Sequence, residues 1–398
     1  MRETIPSLNN IKSMEVDYGK LVSEIKRALA RIPERMDQDR RVKFLHRLPQ
    51  LGAILADPTN TNFSLNIRIR FLLRNLAFLL ALPTAVSANA EGSGPLRLEK
   101  EIPLPGVEGR IDHFSADEAG QRLFVAALGN GSVEVVDLRK GERTAEIKGL
   151  EEPQGLYYDS KTGRLYVATG GDGKLRAYDG KSLALQDTQE LGEDADNVRY
   201  DQQSGDVWVG YGNGIAIINP AGQKVGSIQL GSHPESFQFE AKGDQVYVNV
   251  PKQLGVALVD RKKRLVLSKW GLGASFANYP MALDSADRRL FVGCRLPAQL
   301  VVLDATSGRI LSTLPTVGDT DDIFYDTTRR IVFVIGGEGA VETLRQHDPD
   351  HYERTGRTVT APGARTGFFL QNSSRLYVAV PHRGPQSARV LIYEVEGD

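Results

Sequence analysis

Residues 122–138 read RLFVAALGNGSVEVVDL, and residues 164–179 read RLYVATGGDGKLRAYD. Both open on a triplet of aliphatic, aromatic and valine, break at a glycine-rich turn, and resume as a second apolar stretch. Runs of β-branched and aromatic residues bounded by Gly and Asp read as strands joined by tight turns. The triplet occurs seven times: Leu123-Phe124-Val125, Leu165-Tyr166-Val167, Val207-Trp208-Val209, Val246-Tyr247-Val248, Leu290-Phe291-Val292, Val332-Phe333-Val334 and Leu376-Tyr377-Val378. The intervals are 42, 42, 39, 44, 42 and 44 residues. β-rich units with a period of about 40–45 residues are the signature of a propeller.

Each unit also divides into four short strands. In the first, 111–116 alternates, 117–122 turns, 123–128 is a buried run, 129–131 turns, 133–138 follows and 144–150 completes the unit. The second repeats this with turns at 159–164 and 170–173. The expected fold is all-β, a seven-bladed β-propeller of four-stranded blades. The strand 389–395 is followed only by the last residues to Asp398, so the seventh unit has three strands of its own. Residues Leu96 to Leu104 have the pattern of the missing fourth, and pairing the two ends closes the ring through the mature N-terminal strand, leaving no open sheet edge.

Composition agrees with a turn-rich chain: 398 residues carry 40 Gly and 19 Pro against 2 Trp. Charge divides it. Residues 1–90 hold 14 Lys+Arg against 8 Asp+Glu, and residues 91–398 hold 35 against 42. An acidic propeller disfavours a broad grip on nucleic-acid phosphates. The single cysteine, Cys294, excludes an internal disulfide framework or cysteine metal cluster, and its apolar surroundings read as a buried structural thiol.

Residues 65–90, LNIRIRFLLRNLAFLLALPTAVSANA, place Arg68, Arg70 and Arg74 before the apolar run Leu76–Leu82 and close on Ala88-Asn89-Ala90. That order is a secretory signal peptide. The run is too short for a stable membrane span, which takes about 20 residues. The expected product is periplasmic or secreted, cleaved near Ala90, leaving 91–398 as the propeller. Residues 1–64 have two readings: a mis-assigned start, which is preferred, or a cytoplasmic extension in which Tyr18, Leu21, Val22, Ile25, Leu29 and Ile32 line one helix face up to Pro33.

The segments 122–138 and 164–179 resemble the YVTN-repeat, YncE-like seven-bladed β-propeller family, over about residues 96–398. The resemblance implies the fold. Related propellers include surface and periplasmic binding proteins, lactonase-like enzymes and subunits of quinoprotein dehydrogenases, so it implies no single function.

In a propeller the loop leading into each innermost strand opens at the mouth of the central channel, and equivalent positions form a ring. Each repeat has a turn anchor: Asp117, Asp159, Asp201, Glu240, Asp284, Asp326 and Gln371. Five residues earlier stand Asp112, Gln154, Asp196, Glu235, Tyr279, Asp321 and Thr366. Beside them lie His113, Asn197, Ser236 and Asp322, with His233 and Asn278 slightly earlier and Arg365 in the last repeat. His382 and Arg383 are expected to project over the same mouth, with Arg365 and Arg383 as anion contacts. Asp112, Asp196, Glu235 and Asp321 are the candidate metal ligands, suited to Ca²⁺ or Mg²⁺, or to Zn²⁺ with His113 and His233. His347 and His351 share metal-compatible spacing, but Pro349 argues against a helix and the segment 345–354 reads as an exposed polar loop.

GxSxG, HExxH, P-loop, CxxC and CxxCH patterns are absent from the sequence, which removes support for serine hydrolase, zincin, NTPase and covalent haem functions. The expectation is a binding or interaction module, monomeric, holding a small molecule or protein partner at the channel mouth. The alternatives are a metal-supported lactonase-like hydrolase using the mouth carboxylates, or a quinoprotein-dehydrogenase-like subunit.

Overall fold

The computed structural model describes residues 94–397. The helix expected at 18–32 and the signal segment at 65–90 lie outside them. Seven four-stranded antiparallel sheets form a ring, each a meander running from the innermost strand outward. Blades 1 to 6 begin with innermost strands Phe114–Asp117, Pro153–Asp159, Val198–Tyr200, Phe237–Phe239, Phe276–Asp284 and Thr320–Asp326. Blade 7 begins with Gly367–Leu370, continues through Arg375–Val380 and Arg389–Val395, and takes Leu96–Pro103 as its outer strand. That pairing runs from Leu96 opposite Val395 to Pro103 opposite Arg389, with an irregularity between Leu98 and Lys100. Among the described residues no helix is long and apolar enough to cross a membrane.

The repeated triplet is what holds the ring together. Successive side chains of a strand point to opposite faces, and the second strand of every blade is covered on both. Phe124 packs with Leu165 and Val167 of the next blade, whereas Leu123 and Val125 pack with Tyr377 of the preceding one. The same exchange recurs at Tyr166 with Val207 and Val209, Trp208 with Val246 and Val248, and Tyr247 with Leu290 and Val292. Phe291 with Val332 and Val334, and Phe333 with Leu376 and Val378, complete the circle. Each aromatic is therefore a plug between two blades, and each plug contributes about 1.5–3 kcal/mol of burial.

The acidic anchors are local devices. Asp159 accepts from the Lys161 amide and the Thr162 hydroxyl, Asp284 from the amides of Ala286 and Asp287, and Asp326 from those of Thr328 and Arg329. Carboxylates that cap their own turn in this way favour Asp between strands. At Gly173, φ is +63° and an added Cβ would stand 1.2 Å from the Gly192 carbonyl oxygen, so only glycine fits this turn. The segment 345–354 is not a loop. The strands Ala340–Asp348 and His351–Val359 extend through it as a long hairpin, in which His347 pairs with Glu353 and His351 with Asp348, both at the surface.

Candidate functional site

The residues five before each turn anchor share a backbone device. Asp112 donates its amide to the Ala126 carbonyl, and the Ala126 amide returns to the His113 carbonyl, so two residues face one. Asp196 and Asn197 face Gly210 in the same way, as do Glu235 and Ser236 facing Asn249. Register shifts mark the corresponding places around Gln154, Tyr279 and Asp321. Such bulges bend the strand and re-aim its side chains. In three blades both members of the pair, Asp112–His113, Asp196–Asn197 and Asp321–Asp322, join one cluster.

Two residues before each bulge lies a second set that the sequence reading largely missed: Arg110, Asp194 and Asp319, with His233 as its anticipated member. They stand in the loops ahead of the innermost strands, Asp194 and Asp319 with positive φ, and the same repeat phase carried two residues further would have found them. Arg295, at the end of Arg289–Leu296, and Arg199, in the innermost strand of blade 3, have no equivalent signal.

These cations divide the mouth. Arg110 Nη2 stands 2.6 Å from Asp112 Oδ2. Asp321 is held by Arg295 Nη2 at 2.5 Å and Arg365 Nε at 3.0 Å, and Arg295 also stacks 4.0 Å over the Tyr279 ring. Arg365 reaches Asp319 at 3.2 Å. It is therefore an internal counter-ion rather than a free anion contact, and two of the four expected metal ligands, Asp112 and Asp321, are matched by guanidinium groups. His113 lies among carboxylates, with Nδ1 3.6 Å from Asp322 Oδ2 and Nε2 3.7 Å from Asp112 Oδ1 and 4.0 Å from Asp196 Oδ1. Burial opposes its charge, but Asp322 and Asp112 outweigh it and raise the imidazole to about 10. Burial pushes Asp112 up to about 6 against the pull of His113 and Arg110.

On the other side of the mouth the matching fails. Asp196 is 6% exposed and its Oδ1 has no hydrogen-bond partner. Asn197, 2% exposed, donates Nδ2 to Asp196 Oδ2 at 3.2 Å and leaves its own Oδ1 unpartnered. His233 turns Nε2 toward Asp196 Oδ2 at 3.8 Å and Nδ1 toward Asp194 Oδ2 at 3.4 Å. Asp196, His233 and Glu235 each offer a ligating atom within 4.8 Å of the others. Among the described residues, no cation stands within ion-pairing distance of Glu235. Burial pushes that carboxyl up to about 9, and the charges of Asp196 and Asp321 add to the effect. Asp196 is held below the usual range: burial would raise it, but His233 and His113 outweigh burial. Burial pushes Arg199 down against the opposing pull of Asp322 and Asp196.

The remaining expected residues have framing roles. Gln154 donates to Asp194 at 3.2 Å, Thr366 to the Ile111 carbonyl at 3.2 Å, and Asp322 accepts the Gly367 amide at 2.8 Å. Asn278, fully buried, donates to Asn249 Oδ1 and the Gly255 carbonyl, and Asn249 in turn holds the Tyr279 and Pro280 carbonyls. His382 pairs with Glu108 at 2.7 Å, while the Arg383 side chain is exposed beside Gly363.

Neither a protein-family model nor a curated protein matches the chain. Among solved structures, the fold is similar to one of Kuenenia stuttgartiensis hydrazine synthase, at 14% identity and a TM-score of 0.64, covering 74% of this chain and 99% of that one. It is also similar to a chain in the crystal structure of a mitotic checkpoint complex, at 12% identity and a TM-score of 0.64, covering 79% and 96%. At these identities the likeness is one of fold.

Proposed function

We propose that this propeller is a binding module of the YncE-like kind, exported by the 65–90 signal, whose channel mouth holds a ligand through a positively charged group. One observation carries the reading: Asp196 and Glu235, on adjacent blades, offer oxygens within 4.8 Å of each other, and the buried Asp196 Oδ1 has no hydrogen-bond partner among the described residues. Buried polar atoms are ordinarily paired, and leaving one unpaired costs about 1–3 kcal/mol. A ligand bearing positive charge would supply that partner. Native mass spectrometry of the full chain taken from its own cell tests this. A bound species that disappears in Glu235→Gln is expected; an unliganded mass in both, with identical melting, overturns it.

A second reading, a lactonase-like hydrolase, is favoured by the contrast in one cleft between Glu235, pushed up by burial, and Asp196, held down by His233 and His113, since paired titratable groups pushed apart can divide acid and base roles. Lactone hydrolysis abolished by Glu235→Gln would support it, and unchanged background hydrolysis would remove it.

A further inference from the structure

We infer that Asp196, His233 and Glu235 form a three-ligand site for a divalent transition ion of the zinc class, with a coordination position left open toward the channel mouth. This rests on the mouth being the binding site and names the positive group it holds.

The donor set is the first argument. One imidazole nitrogen and two carboxylates within 4.8 Å of one another suit an ion that accepts nitrogen and oxygen together. Ca²⁺ and Mg²⁺ take oxygen ligands and gain little from His233. Three protein ligands with one position free is the arrangement of zinc sites that bind a further molecule.

The second argument is the orientation of His233. Its Nε2 faces Asp196 Oδ2 at 3.8 Å, and its Nδ1 faces Asp194 Oδ2 at 3.4 Å. A histidine that ligates through one nitrogen ordinarily presents the other to an outer carboxylate, which fixes the ring and strengthens the donor. Asp194 stands at that outer place, at ion-pairing distance from Nδ1 but without a hydrogen bond to it, and is itself held by Gln154. The third argument is independent of the charged cluster. Asn197, 2% exposed, anchors Asp196 through Nδ2 while its own Oδ1 lies buried beside Asp196 without a partner. An ion-bound water would satisfy that oxygen.

Alternative occupants are already engaged. Arg110 is committed to Asp112, and Arg295 and Arg365 to Asp319 and Asp321. Among the described residues, His113, on the Oδ1 side, and His233, on the Oδ2 side, are the groups within ion-pairing distance of Asp196, and Arg110 and Arg199 act on it only from farther away.

The test is calorimetric titration of the chelator-stripped full chain with Zn²⁺, Mn²⁺ and Ca²⁺, followed by Co²⁺ absorption spectroscopy. One Zn²⁺ per chain is expected, with a Co²⁺ spectrum of nitrogen and oxygen ligation. Both should be lost in His233→Ala and Glu235→Gln and retained when the surface residues His347 and His351 are replaced by Ala. Asp194→Asn should weaken zinc about 10–100-fold, as loss of an outer-sphere partner does. Unchanged circular dichroism and apo melting show that the variants are folded; if His233→Ala is not, Glu235→Gln and Asp194→Asn decide. Stoichiometric zinc that survives both His233→Ala and Glu235→Gln overturns the site, as does tighter binding of Ca²⁺ than of Zn²⁺. An organic cation co-purifying without zinc overturns the metal and leaves the binding module standing; no bound species of either kind removes both.

Discussion

Ile102 offers the sharpest test of how the ring is closed. It lies in the strand Leu96–Pro103, is 0% exposed, and packs with Val390 and Ile392 of the strand beside it and with Val136 and Leu123 of blade 1. Ile102→Ala removes three carbons from that contact. Transfer alone is worth about 0.8 kcal/mol per methylene, and the residual cavity brings such substitutions to about 2–5 kcal/mol. Against a whole-domain stability of about 5–15 kcal/mol this is a large fraction. Leu98, in the same strand but 46% exposed, is the control, and Leu98→Ala should cost no more than about 0.5 kcal/mol. The ion pairs flanking this strand, Arg97 with Glu394 and Glu396, and Arg375 with Glu99, are exposed and add little. Urea unfolding at 25 °C, followed by circular dichroism, measures the difference. Deleting residues 95–104 should also leave the strand Arg389–Val395 as a bare edge and produce oligomers by light scattering. If Ile102→Ala costs no more than Leu98→Ala, and the deletion remains monomeric, the N-terminal strand does not close the ring.

His113 makes stability pH-dependent. Its imidazole is raised to about 10 in the fold, so its contribution is fully present below the unfolded value of about 6.5 and lost as pH rises toward 10. In EDTA, the parent should lose more melting temperature across that window than His113→Gln, and parallel curves would sink the assignment. Arg261 bridges blades 4 and 3: Nη1 pairs with buried Asp201 at 2.8 Å, and Nη2 donates to the Glu240 and Gly243 carbonyls. Arg261→Ala should cost about 3–5 kcal/mol in urea unfolding because it strips a buried carboxylate of its cation; a cost below about 1 kcal/mol contradicts that account. Cys294 is 0% exposed and burial pushes its thiol up to about 12, so it should react with a thiol reagent only in denaturant. Stoichiometric labelling of the native chain would show that blade 5 opens.

The sequence by itself determined the number of blades, the order of strands and the closing partner. The triplet is a period-two pattern buried on both faces, so Phe124 and its equivalents declare a neighbour on each side without any knowledge of which residues those neighbours are. The turn anchors were legible for the same reason: Asp159 and Asp284 bond to amides two or three residues on, and local geometry suffices. The repeat phase also brought Asp112, Asp196, Glu235 and Asp321 to one mouth. What only the tertiary structure decided is how they are matched. Arg295 and Arg365 find Asp321 from neighbouring blades, His113 meets Asp322 across more than two hundred residues, and Asp196 and Glu235 are left to His233. Charge pairing at the mouth depends on distances of a few ångströms between residues from different blades. A repeat pattern fixes their phase and height but not the rotamers and bulges that choose each partner.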